Sequence, residues 1–124
     1  MARVLVAEDA PDVRTLIEAV LARDGHDVVT AADGMEALQR YRDDAFDLVC
    51  TDLDMPGLNG VQLTRALRAG TAAEVPILLV SGSGSPRDLQ DAREAGISAF
   101  LEKPFAIAAL RGQVRAPGQL ARMT

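Results

Sequence analysis

Apolar residues along this chain follow two alternating periods. Five short runs are apolar almost without a break: RVLVA (3–7), DVVTA (27–31), DLVCT (47–51), PILLVS (76–81) and SAFLE (98–102). Their Val, Ile and Leu content suits strands covered on both faces. Between them the spacing turns helical. Val13, Leu16, Ile17, Val20 and Leu21 fall at i, i+3, i+4, i+7 and i+8, which predicts a first helix with one apolar face, closed by Gly25. Met35, Leu38 and Tyr41 predict a shorter second helix. Val61, Leu63, Ala66 and Leu67 predict a third, opened by Asn59-Gly60 and closed by Gly70. Ser85 supplies a cap for a fourth, with Pro86 at its first position and Asp88 three residues past the cap. Its apolar face is thin: Leu89, Ala92 and Ala95. Ile107, Leu110 and Val114 mark a fifth.

Strands that alternate with helices and read as continuous apolar runs form a parallel sheet covered on both sides. The expected architecture is an α/β, doubly wound sheet of five parallel strands in the flavodoxin-like order 2-1-3-4-5, with five helices. The last stretch, APGQLARMT (116–124), reads as a frayed tail. At 124 residues the chain is one domain's worth and can bury a real core without staples.

Composition narrows the function classes. A single cysteine excludes an internal disulfide and fits a reducing compartment. No apolar run approaches the roughly 20 residues that span a bilayer, and MARVLVAED is no signal peptide, so the expected setting is the cytoplasm, without a membrane. Net charge is −5, with acids spread along the chain, which argues against a nucleic-acid surface. Cys50 lies inside a strand and is expected to pack there as a small apolar side chain.

Ligands of open parallel sheets bind outside the carboxyl ends of the strands. Strand one ends in Glu8-Asp9, strand three in Asp52, strand four in Ser81 and strand five in Lys103-Pro104; only strand two ends blandly, in AADG. Two carboxylates about 4 Å apart repel by roughly 4 kcal/mol at an effective dielectric of about 20. Three in one pocket need a cation or a proton, and such oxygen ligands suit Mg²⁺. Alone, Glu8 and Asp9 would equally serve the dipole of the first helix; convergence with Asp52 favours the site. Lys103 is the one lysine beside twelve arginines. A compact ammonium acts as a point charge on a phosphate oxygen, which a planar fork does not. A cis Lys103–Pro104 bond, open to X–Pro pairs, would turn that ammonium inward. Ser81 lacks a histidine partner, since the sole histidine, His26, belongs to the turn before strand two, which argues against a Ser-His-Asp nucleophile. SGSGS (81–85) lacks the Lys-Ser/Thr ending of a nucleotide-binding loop.

With those residues placed, the chain resembles the receiver domain of bacterial two-component response regulators. The resemblance runs over roughly residues 3 to 115 and rests on VLVAEDAPDVR, DLVCTDLDMPGLNG, ILLVSGSG and AFLEKPF in that order. It implies that Asp52 is the phospho-acceptor, a covalent nucleophile toward a phosphohistidine. It implies Mg²⁺ (or Mn²⁺) held by Glu8, Asp9, Asp52 and the backbone carbonyl of Asp54. Ser81 and Lys103 would bond phosphoryl oxygens, Gly82 would leave room beside the serine, and Phe100 matches the switch aromatic. The implied partners are a histidine kinase or a histidine phosphotransfer protein and a downstream protein target, with no nucleic acid. The implied division is a receiver over 1–116 and a short tail over 117–124, without an effector domain. Met1 directly before strand one is read as a sign of a free-standing protein. Asp54, two residues past the acceptor, is expected to affect phosphate lifetime. The thin fourth helix is expected to be a low-stability segment that relays the signal with strand five and helix five. The rival readings are a receiver excised from a hybrid kinase or phosphorelay intermediate, a degenerate receiver that binds without phosphorylation, and a haloacid-dehalogenase-type phosphatase suggested by Asp52-Leu53-Asp54. The last opposes the motif order, which would place the Asp pair on strand one.

Overall fold

A computed structural model describes residues 2–70, 74–82 and 85–115. The strands are β1 (Arg3–Ala7), β2 (Asp27–Ala31), β3 (Leu48–Asp52), β4 (Ile77–Ser81) and β5 (Ala99–Glu102). The helices are α1 (Pro11–Arg23), α2 (Gly34–Asp43), α3 (Gly60–Ala69), α4 (Pro86–Ala95) and α5 (Ile107–Arg115). All pairings are parallel and the order is β2-β1-β3-β4-β5, as the alternating periods predict. The tail expected at 117–124 and the centre of the SGSGS loop lie outside the described residues.

The pleat divides the core in two. Leu5, Ala7, Val49, Ile77 and Leu79 face α2, α3 and α4, meeting Ala37, Leu63, Leu67 and Ala92. Val4, Val6, Leu48, Cys50, Leu78 and Val80 face α1 and α5, meeting Ile17, Leu21, Leu110 and Val114. The central strands β3 and β4 are buried along their whole length, whereas β2 and β5, at the edges, are only partly covered. Helix starts follow local chemistry. Asn59 and Ser85 each close a capping box, with Gln62 and Asp88, and Asp33 caps α2 by accepting from Glu36 N–H.

Three apolar positions depart from the predicted faces. Leu16 is 46% exposed, Met35 59% and Ile107 46%. The stripe that α1 buries is narrower than its apolar spacing, centred on Ile17 and Leu21 with Val13 and Val20 at its margins. Met35 and Ile107 sit in the first turns of their helices, off the faces that α2 buries at Gly34 and Ala37 and α5 at Leu110 and Val114. Strand boundaries shift by one residue: β3 starts at Leu48 and takes in Asp52, β4 starts at Ile77 and β5 at Ala99.

Candidate functional site

Strand periodicity aims the chemistry. Successive side chains alternate faces, so Glu8, one residue past β1, keeps the side of Val4 and Val6, and Asp52 keeps that of Leu48 and Cys50. Lys103, one past β5, keeps the side of Leu101. These three meet. Lys103 Nζ lies 2.6 Å from Glu8 Oε1 and 3.5 Å from Asp52 Oδ2. Asp52 Oδ1 accepts the N–H of Leu53 at 2.8 Å. The Lys103–Pro104 bond is cis. Ser81 and Phe100 belong to the opposite side, with Leu79. They line a cavity of about 230 Å³ together with Leu53, Pro86 and Leu89.

Glu8 and Asp52 are buried, Asp9 is exposed, and each offers one carboxylate oxygen such that all three lie within 4.8 Å of one another. Hard oxygens from carboxylates, open to water on the Asp9 side, fit a Mg²⁺-type cation that keeps several of its waters. Asp54, whose carbonyl the resemblance assigns to the metal, shares a hollow of about 370 Å³ with Asp9, Pro56 and Asn59. The structure therefore places Asp54 beside Asp9, the exposed member of the acidic group. Ser81 ends β4 and is buried; its carbonyl accepts the N–H of Lys103 at 2.9 Å. A Cβ on Gly82 would stand 3.0 Å from Lys103 Cβ, so the absence of a side chain there lets β5 close on the loop after β4.

Burial dominates the electrostatics. It pushes the Asp52 carboxyl up to about 7, with the neighbouring Glu8 carboxylate adding to the rise and Lys103 and the Leu53 N–H opposing it. At Lys103 burial works against the charge, but the bond to Glu8 and the nearness of Asp52 outweigh it, and the net shift is upward. The ammonium thus stays charged between two carboxylates. Removing it would leave a buried acid unpaired, a loss of roughly 3–5 kcal/mol. Cys50, fully buried beneath the site, has its thiol pushed up to about 12 and is inert. His26 lies at the opposite end of the sheet, where Nδ1 accepts the Ala2 N–H at 3.0 Å.

The groups that hold this turn are not marked in the sequence. Glu8 Oε2 accepts the N–H of Ala10 at 3.2 Å, and Arg14 Nη1 donates to the Glu8 carbonyl at 2.9 Å. Main-chain partners leave no signature in sequence. The nearest signal was that Ala10, at the head of α1, carries no capping oxygen.

The site and fold have close counterparts. The family described as "Response regulator receiver domain" matches residues 4–115. The transcriptional regulatory protein PrrA of Mycobacterium tuberculosis is 40% identical over 114 residues, covering 92% of this chain and 48% of PrrA. The chain therefore spans about half the length of that relative. Among solved structures, the chemotaxis protein CheY4 of Vibrio cholerae superposes with a TM-score of 0.88 at 31% identity, covering 94% of this chain and 98% of that one. The receiver domain of the Pseudomonas aeruginosa sensor histidine kinase PA1611, with a magnesium ion coordinated in its active-site cleft, gives 0.86 at 32% identity, covering 95% and 98%. Family, strand order and acidic mouth agree: this chain belongs to the response regulator receiver domains of two-component signalling.

Proposed function

We propose that the chain is a phosphorylation-activated switch whose acceptor is Asp52. The observation that carries this reading is the meeting of the Glu8, Asp9 and Asp52 oxygens within 4.8 Å, with Lys103 spanning from Glu8 to Asp52. A histidine kinase or a histidine phosphotransfer protein presents a phosphohistidine. An O–P bond forms to Asp52 as the P–N bond breaks, and its electron pair returns to the imidazole. Phosphoryl transfer asks mainly for positioning and for neutralisation of the oxygens. Asp52 Oδ1 is tethered by Leu53 N–H, which leaves Oδ2 toward Lys103 as the attacking atom. Glu8, Asp9, Asp52 and the Asp54 carbonyl would hold Mg²⁺ or Mn²⁺, which would supply neutralisation of the phosphoryl charge. The Lys103 ammonium and the Ser81 hydroxyl hold the other phosphoryl oxygens, with Gly82 beside them.

Transfer converts the Asp52 carboxylate into an acyl phosphate and withdraws it as an ion-pair partner of Lys103. Ser81 and Phe100 line one cavity under the N-terminal half of α4, so a movement of the serine hydroxyl toward the phosphate is felt by the ring. That route carries the change to α4, β5 and α5 and to a downstream protein target. The receiver unit is taken as 1–116, working in the cytoplasm. No described helix is long and apolar enough to cross a membrane.

The test is incubation with acetyl phosphate, or with a phosphorylated histidine kinase, followed by phosphate-affinity electrophoresis. The wild-type chain is expected to shift in the presence of Mg²⁺, and neither Asp52→Asn nor the wild type in EDTA should do so. A shift that persists in Asp52→Asn would place the acceptor elsewhere and refute the assignment.

A further inference from the structure

α1 starts without a side-chain cap: its N-cap, Ala10, has no oxygen to offer, and Pro11 occupies the first helical position. The turn before it is held instead through Glu8. The Glu8 N–H donates to the Ala31 carbonyl at 3.0 Å, and Oε2 accepts the Ala10 N–H at 3.2 Å. The Glu8 carbonyl accepts Nη1 of Arg14 at 2.9 Å. Arg14 also donates its own N–H to the Ala10 carbonyl at 2.9 Å. That last bond is the ordinary first bond of the helix; what the Arg14 side chain adds is its hold on Glu8, which in turn holds Ala10 on the other side of Asp9. Asp9 is exposed, and its carboxylate reaches the shared oxygen cluster from the position that these two neighbours set.

We infer that Arg14 is a positioning residue for the cation site, fixing the backbone from Glu8 to Ala10 so that the Asp9 carboxylate joins those of Glu8 and Asp52. The inference rests on the reading of that cluster as a divalent-cation site. A guanidinium suits the task because it stays charged and offers donors in a rigid fork. Its charge, however, opposes the binding of a second cation nearby. Removal of Arg14 therefore sets two effects against each other, and the sign of the outcome separates them. Loss of charge alone tightens metal binding. Loss of positioning weakens it, and groups that orient metal ligands typically change affinity by about 10–100-fold. Arg14 acts through the main chain, so the lower end, about tenfold, is expected.

The experiment is a Mn²⁺ titration of the whole chain, read by the electron paramagnetic resonance signal of the free ion. Wild type, Asp9→Asn and Arg14→Met are compared, and the melting temperature of each is measured in EDTA. Binding by the wild type and its loss in Asp9→Asn would uphold the underlying cation reading. Arg14→Met is then expected to bind about tenfold more weakly while melting close to the wild type. Equal or tighter binding by Arg14→Met overturns the positioning role and leaves the cation site standing. So does weaker binding that is fully explained by an unfolded fraction. Absence of binding by the wild type overturns both. Should Arg14→Met fail to fold, Arg14→Leu, which likewise has no donor, carries the test: weaker binding supports the role, and equal or tighter binding refutes it.

Discussion

Asp52 closes a strand that is buried along its whole length, and its carboxyl is pushed up from 3.8 to about 7, chiefly by that burial. Below about pH 7 the neutral form is favoured in the metal-free fold, while the unfolded chain ionises near the ordinary value. As pH rises from about 4 to 7, the metal-free fold therefore holds a proton that the unfolded chain has released, and stability from this group falls. The loss is complete above about 7. Asn at this position cannot ionise. In EDTA at pH 8, Asp52→Asn is expected to be more stable than the wild type by on the order of 2 kcal/mol, after allowance for the water that reaches the site, with the two curves converging toward pH 4. Urea midpoints measured across that range check this. Parallel curves would mean that the carboxyl is not desolvated. Asp52 thus carries an intrinsic cost in the metal-free fold.

Element boundaries were legible where local chemistry sets them. Asn59 and Ser85 opened α3 and α4 as their capping residues implied, and Gly96, in the left-handed conformation at φ 110°, closes α4. What anchors α4 to the body was not legible. The helix buries only Ala92 among its side chains. Its C-terminal end is held by Arg68 of α3, which donates from Nε and Nη2 to the Gly96 carbonyl at 3.0 and 2.8 Å and from Nη1 to the Val75 carbonyl at 2.6 Å. Carbonyls 28 residues away, at Gly96, and 7 away, at Val75, have no side-chain signature that periodicity can detect. The same blindness explains Leu16, Met35 and Ile107: spacing tells which residues share a face, but only tertiary packing sets how wide a face is covered. Arg68→Met keeps the aliphatic stem and removes these three bonds, so a loss of about 2–3 kcal/mol is expected in urea unfolding. Hydrogen exchange should speed up at the end of α4 and the start of β5. A variant that unfolds at the wild-type midpoint would show that the clamp is ornamental.

At the scale of the molecule, the site was legible because a parallel sheet forces it. Every strand in the order β2-β1-β3-β4-β5 runs the same way, so Glu8-Asp9, Asp52, Ser81 and Lys103 had to gather at one edge. The pairing inside that edge was not legible. That Lys103 takes Glu8 at 2.6 Å rather than Asp52, at 3.5 Å, depends on side-chain reach in the folded state. The same topology would make cation binding at the acidic mouth a property of the fold alone. Asp9 and Asp52 are far apart along the chain, and an unfolded polypeptide cannot hold their oxygens within 4.8 Å of one another. A ligand that binds only the folded state stabilises it by about 2.7 kcal/mol at 100 times its dissociation constant. For a domain of this size that corresponds to a rise in melting temperature of about 10 °C. Saturating Mg²⁺ is expected to produce such a rise in the wild type over NaCl of equal ionic strength. Asp9→Asn, altered at an exposed position, should melt near the wild type in EDTA and gain little from Mg²⁺. An equal gain in both proteins, or an equal gain from NaCl, would mean that the ion screens surface charge and does not occupy the acidic mouth.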